Sequence, residues 1–100
     1  MVILNITIKV DWSIAKNWLL WQKDIHLLEI LGTGCYSHHQ LVKLINIDEA
    51  DGPTYALQLY ANGMEKIEYY QQQYDQQFQQ VIIEKWGDKY LEFRTLMEVV

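Results

Sequence analysis

Proton transfer, anion anchoring and metal binding each need particular side chains, and this sequence supplies few of them: His26, Arg94, and the pair His38-His39 near the single cysteine, Cys35. His26 follows Trp21 and Ile25 on one helical stripe, where an imidazole can act as a general base or a donor at the mouth of a cavity. As a structural group it would instead cap the C-terminus of its helix in the positive form. It is the one catalytic candidate. Arg94 stands two residues after Glu92 on the same side of a strand, and its planar fork can anchor a carboxylate ligand. The commoner use of such an arginine is an ion pair, with Glu92 or with Glu98 of a second copy. Adjacent residues on a strand point to opposite faces, so His38 and His39 cannot together hold one ion. Adding Cys35 gives no known metal-ligand spacing. Asp48, Glu49 and Asp51 lack calcium-loop spacing, and no phosphate loop, dinucleotide fingerprint or nucleophile elbow occurs. Neither a metal nor a cofactor is expected.

These groups are placed by elements the hydrophobic pattern outlines. Val2 to Val10 alternates, with Val2, Leu4, Ile6, Ile8 and Val10 opposite Ile3, Asn5, Thr7 and Lys9, the period of a strand. Asp11 and Ser13 are N-cap types, and Ile14, Trp18, Trp21, Ile25 and Leu28 then follow at helical intervals until Gly32 and Gly34, with Gly32 in the left-handed cap position. Tyr36 to Ile47 reads as a second strand, the stretch from Asp48 to Pro53 as a polar loop, and Thr54 to Ala61 as a third strand ending at Asn62-Gly63. A second helix carries Ile67, Tyr70, Tyr74, Phe78, Val81 and Ile82 on one face and stops at Gly87. The seven glutamines between Gln71 and Gln80 form its wet side, since the apolar period persists through them. Tyr90 to Val99 is the last strand, with Leu91, Phe93, Met97 and Val99 opposite Glu92, Arg94 and Glu98.

The order β-α-β-β-α-β, with short connections and right-handed crossovers, predicts an α+β fold: a ferredoxin-like split βαββαβ sandwich, a four-stranded antiparallel sheet with both helices on one face. If the helices cover Leu4, Ile6, Ile8, Leu57, Leu59, Phe93 and Met97, the bare face shows Asn5, Thr7, Lys9, Gln58, Tyr60, Tyr90, Glu92, Arg94 and Leu96. Such a face meets water, binds a ligand or packs against another chain. Two of them face to face would enclose a cavity lined by Asn5, Thr7, Gln58, Tyr60 and Arg94.

Composition narrows the partners. The 100 residues suit one domain, 1–100, and half are hydrophobic against 21% charged, the balance of a packed globule. A net charge of −5 with eight unclustered basic residues argues against nucleic acid. Lys16, Lys23, Asp24, His26 and Glu29 interrupt the tryptophan-rich stretch, so no membrane partner is expected, and the start lacks the features of a signal peptide. One cysteine allows no intrachain disulfide, so the expected location is the cytoplasm.

The runs Asp11-Trp12-Ser13-Ile14, Trp18-Leu19-Leu20-Trp21 with His26, Gly32-Thr33-Gly34 and Phe93-Arg94-Thr95 resemble a bacterial family, domain of unknown function 4286. The resemblance runs along the whole chain and implies a dimeric α+β barrel, akin in fold to antibiotic-biosynthesis monooxygenases. It brings no activity with it. Asn5 matches the strand-1 asparagine of haem-degrading barrels, but no histidine follows His39, so their haem ligand has no counterpart. The expectation is a homodimeric barrel binding a small, partly aromatic or carboxylated ligand between its sheets. The alternatives are a cofactor-independent monooxygenase or isomerase using His26, and a structural or regulatory subunit.

Overall fold

The strand β1, Val2–Val10, sits between two others because one of its faces is wholly aliphatic: Leu4, Ile6, Ile8 and Val10 are buried. In the computed structural model, which describes residues 1–100, α1 (Ala15–Trp21) runs through a π-helical turn (Gln22–His26) into α2 (Leu27–Gly32). β2 (His38–Lys43) and β3 (Thr54–Ala61) follow. Then α3 (Met64–Tyr70) passes through a second π turn (Gln71–Asp75) into α4 (Gln76–Trp86), and a short 3-10 turn leads to β4 (Tyr90–Glu98). The fold is α+β, with one antiparallel sheet in the order β2-β3-β1-β4 and two helical rods on one side of it. No helix is long and apolar enough to cross a membrane.

The core is a single cluster in which Trp18, Ile30, Ile67 and Phe78 from the rods meet Leu4, Ile8, Leu57 and Leu59 from the sheet. Aromatic side chains bury large areas and pack tilted or edge-on. Trp18 accordingly lies 5.1 Å from Tyr55, and Tyr36 meets Tyr70 edge-on at 5.0 Å.

Four expectations are corrected. The second strand is His38–Lys43 instead of 36–47: Tyr36 turns into the core, while Ile45 and Ile47 lie exposed in the loop beyond. The left-handed residue closing the first rod is Gly34, with φ 76°, and Gly32 remains within the helix. Ile25 and Leu28 are exposed where the stripe predicts burial, and His26, Leu27 and Ile30 are buried instead. A π turn holds one residue more than an α turn, so every later side chain rotates relative to the α-helical pattern. Val81 is likewise exposed, with Ile82 taking the buried position.

The fourth correction concerns β4. Residues opposite one another across a ladder share a face, and β1 pairs Ile6 with Arg94, Ile8 with Glu92, Val10 with Tyr90 and Leu4 with Leu96. Tyr90, Glu92, Arg94 and Leu96 therefore point toward the helices. Leu91, Phe93 and Met97 point to the bare face with Lys9, Thr7 and Ile3. Both sides of β4 carry apolar residues, so hydrophobicity alone does not orient it. Polar anchors from the second rod decide the matter.

Candidate functional site

Those anchors form a partly buried network under the second rod. The Arg94 Nη2 lies 2.7 Å from Asp75 Oδ1, and Asp75 sits at the end of the second π turn. Arg94 Nε donates to Glu92 Oε2 at 2.7 Å, while Tyr90 Oη (2.8 Å) and Gln79 Nε2 (3.1 Å) both donate to Glu92 Oε1. Burial pushes the Glu92 carboxyl up, but hydrogen bonds from Arg94 and Tyr90 outweigh it and hold the group below its ordinary value. Burial also opposes charge on Arg94, and bonding to Asp75 and Glu92 overcomes that to raise its pKa. Burial beside Glu92 raises the Tyr90 phenol, keeping it a neutral donor.

His26 lies in the first π turn, 5% exposed, so it neither caps a helix end nor opens on a cavity mouth. Its ring stacks on Trp21 at 4.5 Å and meets the edge of Phe78 at 5.4 Å. Burial pushes its pKa down to about 4 against a modest upward pull from Glu92. Gln22, one helical turn earlier, is 1% exposed, and its Nε2 has no protein partner. Between Gln22, His26, Gln79, Glu92 and Arg94 is an enclosed space of about 10 Å³. That volume suits one water and no larger ligand.

The bare face is different in character. Reading across β2, β3, β1 and β4, its side chains fall into rows: His38, Tyr60, Ile3 and Met97; Gln40, Gln58, Asn5 and Thr95; Val42, Ala56, Thr7 and Phe93. Thr54, Lys9 and Leu91 continue beyond them. A row of amides and a hydroxyl thus lies between two more apolar rows. It is tied to both neighbours: Asn5 Nδ2 donates to Thr7 Oγ1 at 3.2 Å, and Tyr60 Oη donates to Gln58 Oε1 at 3.5 Å. Phe93 is 73% exposed and Leu91 62%. Lys9, held 3.8 Å from Asp51, is the only Lys, Arg, Asp or Glu in these rows.

The structure therefore brings together Asn5, Thr7, Gln58 and Tyr60 but sets Arg94 and His26 on the opposite side of the sheet. The expected cavity lining loses its only guanidinium. Sequence reasoning overlooked Gln40 and Thr95 and set Phe93 under the helices, because their places depend on register across the sheet. It also overlooked Gln22, Asp75 and Gln79, whose roles depend on how the rods lie over β4. His39 points to the helix side beside Leu59, away from His38, and Cys35 is buried and free.

Compared with known proteins, residues 1–100 match the family model described as Domain of unknown function (DUF4286). No curated protein matches the chain.

Proposed function

Since the chain belongs to the DUF4286 family, whose description carries no activity, we propose a function from its own site: a homodimer pairs the bare sheet faces and holds a small, uncharged, partly aromatic ligand between them. The observation that carries this reading is a whole sheet face left without helices, showing Phe93 and Leu91 to solvent and a single charged side chain. Interface cores are depleted in charge and enriched in aromatic residues, and monomers rarely leave a broad apolar patch bare. The strand order and the one-sided helices support the ferredoxin-like assignment, and face-to-face pairing makes the dimeric α+β barrel. The middle row supplies the ligand's hydrogen bonds through Asn5, Gln40, Gln58 and Thr95, with Thr7 and Tyr60 as their neighbours. With Arg94 turned away, a carboxylated ligand loses the anchor that favoured it. Self-association and a small molecule are the partners proposed, and the single buried cysteine suits a cytoplasmic setting.

Sedimentation equilibrium at micromolar concentration tests the reading. Twice the monomer mass is expected for the native chain, and Phe93→Asp, which places a carboxylate on each facing surface, gives a monomer with unchanged far-UV circular dichroism. A native monomer at these concentrations would overturn it.

A further inference from the structure

Imidazole is the side-chain group that exchanges a proton in the physiological range, and on the bare face His38 is the one histidine. It is exposed at the start of β2, opposite Tyr60, and its ring stacks on the phenol with centroids 4.1 Å apart and planes 14° from parallel. Its Nδ1 lies 3.1 Å from Ser37 Oγ. That hydroxyl also contacts the Tyr60 carbonyl oxygen at 3.2 Å, and a carbonyl can only accept. The Tyr60 carbonyl also accepts from Ser37 N–H at 2.8 Å, so the Ser37 hydroxyl proton is free to serve either contact, and Nδ1 of neutral His38 donates or accepts there according to its tautomer.

Apart from the Tyr60 ring face, the strands on this side hold nothing to balance a charge on the His38 ring, and Asp51, which reaches the face from the loop, is held by Lys9 at its far end. β3 contributes Thr54, Ala56, Gln58 and Tyr60; β1 contributes Ile3, Asn5, Thr7 and the distant Lys9; β4 contributes Leu91, Phe93, Thr95 and Met97. No carboxylate projects from these strands on this side. Covering an imidazolium in such a setting costs its hydration without an ion pair in return.

We propose that the face pairs only with neutral His38, so that association of two copies releases protons and acid separates them. The inference rests on the sheet-to-sheet dimer proposed above and assigns its regulation. By symmetry each dimer contains two such histidines.

The test is the dimer dissociation constant by sedimentation velocity at pH 7.5 and 5.5, both well above the range in which buried His26 takes up a proton. The constant should rise at least tenfold in acid for the native chain and stay level for His38→Gln, which keeps a polar, neutral group in place. An equal constant at the two pH values overturns the inference and leaves the dimer standing. Persistence of the acid response in His38→Gln also overturns it, since the proton then binds elsewhere. A native monomer at pH 7.5 defeats the dimer reading itself.

Discussion

His26 turns out to be a core residue rather than a base facing a ligand, and its chemistry then appears in stability. Its folded pKa of about 4 lies below its ordinary 6.5, so the folded state disfavours the protonated ring. Stability is full above about pH 6.5 and falls as pH drops through 4. Between pH 7 and 4.5 the loss attributable to this group is roughly 2.5 kcal/mol. Urea unfolding at the two pH values should show that fall in the native chain and a smaller one in His26→Leu. Glu92, whose carboxyl is also held low, adds its own loss at lower pH, and the comparison of the two chains isolates the imidazole. Arg94 is the second decisive residue. Arg94→Met leaves Asp75 and Glu92 without their cation in a partly buried setting and is expected to cost about 2 kcal/mol by urea midpoint. Arg94→Lys recovers little of this, because one ammonium does not reproduce the fork that reaches both carboxylates.

At the level of elements, the two π turns explain the helix positions that pattern reading missed. β1 was legible because one face is entirely aliphatic and the other is not. The first rod was legible as far as Trp21, where the α-helical stripe holds. Beyond it, one extra residue per turn carries Ile25 and Leu28 into solvent and draws in His26 and Leu27, and no residue type signals this. Loss of one exposed residue from that turn should restore a regular helix with the same inward face. Deletion of Asp24 is therefore expected to leave the far-UV spectrum unchanged and to lower the melting temperature by only a few degrees. Deletion of buried Leu27, by contrast, removes a core side chain and should unfold the protein in the same measurement. β4 was legible as a strand but not in its facing, since Leu91 and Phe93 balance Tyr90 and Leu96. What turns it is Asp75, nineteen residues before Arg94, reaching that guanidinium from the second rod. Asn5, Thr7, Gln58 and Tyr60 share one face as their alternation predicts, because β1 and β3 each have one unmistakable core side, and Arg94 was misplaced because its strand has none.

For the whole molecule, the sheet divides the polar chemistry into two compartments. One side holds charge that is already spent within the fold, with two carboxylates on one guanidinium and a neutral histidine. The other holds amides, hydroxyls, exposed apolar rings, His38 and Lys9, with no carboxylate projecting from its strands. Any acid–base chemistry on the bare face would fall to His38 or to a group introduced there, since neither His26 nor Arg94 reaches it. The lone Lys9 also carries geometric information. In a symmetric pair, a two-fold axis passing near Lys9 would bring two ammonium groups together with only Asp51 at each rim to offset them. In the proposed pair the axis would instead run nearer the amide row of Gln58 and Asn5, leaving Lys9 at the periphery. A cation that looks incidental in one chain would thus limit where a two-fold axis between two chains can run.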